Sequence, residues 1–257
     1  MTKIIWDHVV HYVNDLDKSI EIFQENGLIA FRGGSHKQWG TYNALSYFDL
    51  TYIEFLGIED RELVATVKDP NAVVKDSLTT LPEHEALSRV ALRTDDIEEV
   101  AANLEAAGLE ISPIMAGKRL DNKGQLIEWK MLTIAGDFQG LIYPFVIQWK
   151  GTDDERYQNL LNSGVIQSHP AGKTVINEAV FTVKNPIEAA KHWQNLFGLT
   201  LSSTTETTAT LSIGDKSFQF QQGSKNQFTD LIFKTDNKGL QEKTIMIGEG
   251  KYTFKPF

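Results

Sequence analysis

A chain of 257 residues that is 41% hydrophobic and 23% charged has enough apolar material for a sizeable core and for two compact lobes. Its formal charge of -9 repels a phosphate backbone, which argues against nucleic acid as a partner. It has no cysteine, which excludes disulfides, a thiolate nucleophile and cysteine-bound metals and fits a reducing compartment. The chain runs into a strand at once and opens with no long apolar stretch. Neither a secretory signal nor a membrane span is expected, so the simplest expectation is a soluble cytoplasmic protein.

Residues 4–56 set the pattern for the rest. Trp6-Asp7-His8-Val9-Val10-His11-Tyr12-Val13 is strand-like. A helical segment follows from Asp15 to Asn26 and stops at Gly27, and strand-like runs come at 28–33, 42–48 and 50–56. The unit reads β-α-β-β-β. A connector over 57–86 holds helical stretches at 61–67 and 71–80, punctuated by Pro70 and Pro82.

The unit then recurs. Residues 8–15 align with 89–96 without a gap, and twelve residues lead from Asp15 to Gly27 as from Asp96 to Gly108. A leucine follows each glycine. A third copy starts at 178 and reaches Gly198-Leu199 with one extra residue; a fourth, from Asp230, has its helix reduced to a turn. Asp15, either Asp95 or Asp96, and Asn185 are the expected helix caps. Asn185-Pro186-Ile187-Glu188 reads as a capping box with proline at the first helical position. Strands are expected at 109–115, 126–134 and 141–149 in the second copy. They are expected at 199–205, 207–213 and 216–221 in the third, and at 243–247 and 252–255 in the fourth, with turns such as 122–124 between them.

One such unit leaves a sheet face bare, so copies one and two pair, as do three and four. The expected fold is α+β: repeated β-α-β-β-β modules paired into curved mixed sheets around a cleft. Residues 1–150 form the larger domain. Residues 151–173 are a linker with a helix at 155–162, and 174–257 are a smaller lobe that looks built for structure.

Alternation puts His8, Val10 and Tyr12 on one strand face, and Tyr52, Glu54 and Leu56 on another. A glutamate inside Tyr-Ile-Glu-Phe-Leu needs a partner. Arg89 begins the related strand and points to the same cleft, where its guanidinium fits Glu54 or an acidic substrate. The plainer alternative is a buried charge network that holds the modules together. Gly33, Gly34 and Gly40 let the backbone approach a ligand between His36 and Asn43. His36 is a candidate metal ligand or general base, and Thr41 and Asn43 are candidate binders of a carbonyl or carboxylate oxygen. An ordinary surface hairpin is the alternative there. His8, His36 and Glu54 form a sensible two-histidine, one-carboxylate metal set. Trp129 and Trp149 are candidate walls of the pocket, with core packing equally open; Trp39 in the glycine-rich loop is a candidate to close over a bound ligand, and Glu128 is a further candidate carboxylate. His11 reads as structural.

The repeated unit resembles the vicinal oxygen chelate superfamily, in its glyoxalase-like branch, which includes glyoxalase I and extradiol dioxygenases. The likeness rests on the first-strand His8, the helix ending at Gly27-Leu28, Gly33-Gly34-Ser35-His36, Gly40-Thr41-Tyr42-Asn43-Ala44 and Tyr52-Ile53-Glu54-Phe55. It is tight over 4–56 and looser beyond. The resemblance implies a divalent metal (Zn, Mn, Fe or Ni) in the cleft, held by first- and last-strand residues of both paired modules. Here those would be His8 and Glu54 in module one. In module two the place of His8 is taken by Arg89, and the last strand has no carboxylate. The implied function is a small-molecule lyase, isomerase or dioxygenase acting on an oxygen-rich substrate, in a possible homodimer. The alternatives are a module that sequesters a small acidic or aromatic ligand without turnover, and a structural homodimer whose cleft is vestigial.

Overall fold

The computed structural model describes residues 2–120, 124 and 126–257, so the turn expected at 122–124 lies largely outside the described residues. Module one comprises β1 (Ile5–Tyr12), α1 (Leu16–Glu25), β2 (Phe31–His36), β3 (Thr41–Phe48) and β4 (Thr51–Ile58). Asp15 caps α1 by accepting from the Lys18 amide, and the helix stops before Gly27. The connector folds into α2 (Arg61–Thr66) and α3 (Ala72–Thr80).

Module two comprises β5 (Ala86–Arg93), α4 (Ile97–Ala106), β6 (Met115–Leu120), β7 (Leu126–Leu132), a hairpin of β8 (Asp137–Phe138) and β9 (Leu141–Ile142), and β10 (Phe145–Trp149). Asp96 is the cap of α4. The second-module strands differ most from expectation. The run at 109–115 keeps only a single bridge, Ile111 to Ile134, because Pro113 has no N–H to offer a ladder. Pro144 likewise splits 141–149 into β9 and β10. In module one the strand expected at 28–33 begins three residues later, at Phe31, and Leu28 and Ala30 ahead of it pack into the core.

Helix α5 (Asp153–Asn162) follows, closed by a capping box between Thr152 and Glu155. The C-terminal lobe holds β11 (Thr174–Val183), α6 (Pro186–Phe197), β12 (Thr200–Thr204), β13 (Thr208–Ile213), β14 (Lys216–Gln222), β15 (Gln227–Thr235), β16 (Thr244–Ile247) and β17 (Gly250–Pro256). Pro186 opens α6 as expected. The capping box there does not form: the Asn185 amide turns to Gln139 and Glu188, and Glu188 accepts from Gln139. Between β15 and β16 the fourth copy has a turn in place of a helix.

The modules pair within the chain. The first eight-stranded sheet runs β2-β3-β4-β1-β5-β10-β7-β6, and the seven-stranded sheet runs β12-β13-β14-β11-β15-β17-β16. Each is joined at its middle by an antiparallel pair, β1–β5 or β11–β15. The repeat extends to irregularities. Register shifts fall at Trp6/His8 and Val10/His11 in one sheet, and at Ile176/Glu178 and Val180/Phe181 in the other, which are equivalent positions. Each shift is a bulge, which re-aims a side chain without ending the ladder.

Period two sorts the first sheet as the sequence implied. Val9, Ile53, Phe55, Val90, Leu92 and Val146 enter one large core with α1, α4 and the residues of the second sheet. Val10, Tyr12, Leu56, Ala91, Phe145 and Ile147 line the concave side with Trp39, Trp129 and residues of α3. His11 lies on the other side from His8, fully buried, with its Nδ1 hydrogen-bonded to the Tyr252 hydroxyl of β17. Among the described residues no helix is long and apolar enough to cross a membrane.

Candidate functional site

The concave face of the first sheet closes over a cavity of about 60 Å³. His8 reaches it from β1, His36 from β2, Thr41 and Asn43 from β3, Glu54 from β4 and Trp129 from β7, while Trp39 comes from the β2–β3 turn. The tertiary structure therefore brings these candidates together and leaves out Arg89 and Glu128. Gly33 and Gly34 lie inside β2 at a bulge, not in the turn. A side chain at Gly33 would place Cβ 2.3 Å from Asn43 Oδ1. The glycine thus makes room for the amide that faces Glu54. Gly117 on β6 plays the same part for Trp129, whose ring would lie 2.2 Å from a Cβ there.

The polar centre is a chain of buried groups. Asp7 Oδ1 lies 2.6 Å from His8 Nδ1, and His8 Nε2 faces Glu54 Oε2 at 3.6 Å. Asn43 Nδ2 donates to Glu54 Oε1 at 2.6 Å. Asp7 is the extra residue of the first bulge, which lets it stand beside the neighbouring side chain. Its other oxygen, Oδ2, accepts from Trp149 Nε1 at 3.0 Å and from Arg156 Nη1 at 3.3 Å, with Arg93 Nη1 at 3.6 Å. His8 also stacks on Tyr52 with ring centres 4.4 Å apart, which fixes the plane of the imidazole.

The charges follow from these contacts. Burial alone would push the Glu54 carboxyl up, but His8, His36 and Asn43 outweigh it and hold it down to about 2. Burial works against charge on His8, yet Asp7 and Glu54 together raise its pKa above the ordinary value. Asp7, despite full burial, is held down to about 2 by Arg156, His8 and Arg93. These contacts favour an imidazolium at His8 between two carboxylates. Burial, with help from Arg119, lowers the pKa of His36 against the pull of Glu54 and leaves its imidazole neutral. His36 Nδ1 meets Thr41 Oγ1 at 3.1 Å.

Arg89 keeps the sheet face expected of it but not the partner. Its guanidinium is buried and ion-paired with Asp76 of α3, away from the cavity. Trp39 donates to Asp69 Oδ2 at 3.2 Å while its ring lines the cavity. Glu128 pairs with Lys150 at 2.5 Å on an outer rim.

Three residues that the alternation rule could not reveal also shape the site: Asp7, Arg119 and Arg156. A bulge hides Asp7; its signal is an aspartate next to a histidine in an apolar strand. Arg119 and Arg156 come from β6 and α5, distant in sequence.

The fold family implies a metal here, and the donor set can be tested against it. The Asp7–His8 contact is how a carboxylate orients a ligating imidazole, and 3.6 Å between Nε2 and Oε2 suits two donors flanking one ion. A third protein donor is wanting. Among the described residues no group of three His, Cys, Asp or Glu is placed to hold an ion. The pairings of Val10 with Glu54 and of Ala91 with Phe145 make Phe145 the counterpart of Glu54, as Arg89 is of His8. Catalytic metals take three protein ligands as a rule. The residues present do not fit a metal held in that way.

Known proteins place the chain. Its fold matches a hypothetical protein from Staphylococcus aureus over 99% of this chain and 100% of that one, at TM-score 0.86 and 24% identity. A mutant 4-hydroxymandelate synthase from Streptomyces coelicolor matches at TM-score 0.56 and 12% identity, over 92% of this chain and 72% of that one. An Mn(II)-bound glyoxalase from Novosphingobium aromaticivorans matches at TM-score 0.52 and 10% identity, over 92% and 67%. At these identities the likeness is one of fold, the glyoxalase fold of the vicinal oxygen chelate superfamily. None of the curated proteins matches the sequence. The family profile described as "Glyoxalase-like domain" matches residues 6–197, three-quarters of the sequence, and the chain belongs to that glyoxalase-like domain family.

Proposed function

We propose that the protein is a glyoxalase-like enzyme of the isomerase or lyase kind, which moves a proton on a carbon next to a carbonyl group in the cavity between modules one and two. The observation that carries this reading is the facing of His8 Nε2 and Glu54 Oε2 across 3.6 Å inside an aromatic enclosure. Glu54 is ionised and fixed by Asn43, so Oε2 is the proton acceptor. The proton on His8 is favoured by Asp7 and Glu54 and the ring is fixed by Asp7, so its Nε2–H is the donor to an oxygen.

In the forward step the carbon-bound proton passes to Glu54 Oε2. The electron pair of that bond moves onto the carbonyl oxygen, which takes a hydrogen bond from His8 Nε2. Return of the proton to a different face or atom gives an isomer; departure of a group from the neighbouring carbon gives a lyase product. A carboxylate held as low as about 2 is a weak base. The driving force therefore lies with His8, whose positive charge stabilises the developing oxyanion in a site of low dielectric. Trp39, Trp129 and Trp149 exclude water and strengthen that interaction.

Arg89 and Phe145, at the second-module places of His8 and Glu54, favour the second reading, sequestration of a ligand without turnover. Exchange of carbon-bound hydrogen for deuterium from solvent, followed by NMR on a panel of small carbonyl compounds, separates the two. Exchange that is lost in Glu54→Gln supports the enzyme. Ligand binding with no exchange in any compound supports sequestration.

A further inference from the structure

Beside the inner cavity lies a larger pocket of about 690 Å³, between the β2–β3 edge, β6–β7 and helix α5. The two share Leu45, Arg119 and Trp149, so they meet at one junction. Two guanidinium groups stand there. Arg119 is half-buried, and among the described residues it donates only to the Gly33 carbonyl at 3.3 Å and has no carboxylate partner. Arg156 is 9% exposed and gives Nη1 to Asp7, while its Nη2 is buried with no hydrogen-bond partner. Both line the outer pocket, Arg119 at its junction with the inner cavity.

Asp7, Glu54 and Asp153 pair with His8, Arg93 and Arg156, while Arg119 has no carboxylate partner among the described residues. A buried donor and a half-buried cation that both lack a partner among the described residues are relieved by a planar anion. The remaining walls are apolar in part: Phe31, Ile127, Leu160, Val165 and Leu126, the last 55% exposed. Asp154 and Glu155 on the rim repel a dianion, which favours a single negative charge.

We propose that this outer pocket binds the apolar body of an organic carboxylate, whose carboxylate group is taken at the junction by Arg119 and by Nη2 of Arg156. Together with the inner cavity this names the substrate class as carbonyl-bearing carboxylic acids. The orientation, with the reacting end toward Glu54, rests on the functional reading above; the anion site does not. Arg119 is a specificity-determining residue and takes no part in proton transfer.

The test uses 4-phenylbutyrate and its uncharged amide as probes, with quenching of tryptophan fluorescence as readout, since Trp149 lines both spaces. The acid is expected to bind at least about tenfold more tightly than the amide. Arg119→Gln should erase that preference and Arg119→Lys should restore part of it. Glu54→Gln should bind the acid as well as the unaltered chain or better, because a nearby negative charge is gone. Equal affinity for acid and amide, no saturable quenching by the acid up to its solubility, or acid binding indifferent to Arg119→Gln would each overturn the proposal. Deuterium exchange is read separately. Acid binding through Arg119 without Glu54-dependent exchange would sink only the catalytic reading.

Discussion

Arg89 stands in the second module where His8 stands in the first, yet its guanidinium turns to Asp76 on α3 and leaves Glu54 to His8. The difference lies in what covers each half of the sheet. Helix α3 lies against the concave face and brings an acid to Arg89, while Tyr12, next to both, donates to the Val73 carbonyl at 2.6 Å. Arg89 is thus a strut between connector and sheet.

Removal of that strut should cost stability and spare binding. Arg89→Leu leaves Asp76, which is 43% exposed, to water and not to a sealed interior. The expected loss is about 2 kcal/mol, below the cost of orphaning a fully buried charge. Urea denaturation measures it. Affinity for the acid probe should stay within about twofold, in contrast to Arg119→Gln. A matching loss of affinity would return Arg89 to the site.

Proton-transfer activity should depend on His8 being charged. Its pKa is raised in the folded chain, so the protonated form persists past its ordinary value and is lost as pH rises through the raised one. Exchange activity is expected to fall as pH rises through that raised value, above the ordinary histidine range. Asp7→Asn removes the contact that most supports the proton, and should move that fall to lower pH. A profile that rises with pH instead would contradict an imidazolium donor.

Acid should weaken the fold in two stages. Burial holds the His11 imidazole down to about 3, so the unfolded chain takes up a proton below about 6.5 that the folded one refuses. The His11 contribution then falls by about 2 kcal/mol between roughly pH 7.5 and 5 and goes on falling toward pH 3. His11→Phe should flatten that limb, whatever it does to the stability plateau. A second decline follows as pH drops from about 4.5 toward 2, where Asp7 and Glu54 are ionised in the folded chain and protonated in the unfolded one. Chemical denaturation at a series of pH values resolves both limbs.

A chelator should leave the protein unchanged. With Arg89 and Phe145 at the second-module positions, the site offers too few donors for tight capture of an ion. Protein purified without chelator is expected to carry well under one equivalent of Zn, Mn, Fe or Ni by elemental analysis, and its thermal midpoint should not move on dialysis against EDTA. Stoichiometric metal that disappears in His8→Ala would overturn this.

Much of the architecture was legible before any coordinates. The spacing from a cap to a glycine repeats along the chain, and alternation in strands of period two has few solutions, so the modules, their pairing and the faces of His8 and Glu54 followed from local rules. The helix caps at Asp15 and Asp96 were equally plain, because a cap is satisfied within a few residues. Prolines 113 and 144 carried the correction to the second-module strands, since a missing N–H is felt only when a neighbouring strand asks for it.

The composition of the site was decided by contacts between elements far apart in sequence. Alternation could say that Arg89 faces the cleft, but not that α3 would bring Asp76 to it first. The bulge at Asp7, the approach of Arg156 from α5 and of Arg119 from β6, and the junction of two pockets depend on how the sheet curves and what lies across it. A side chain's direction is a property of its own strand, and sequence fixes that; its partner is whichever opposite charge the folded chain brings nearest, and only the tertiary structure determines it.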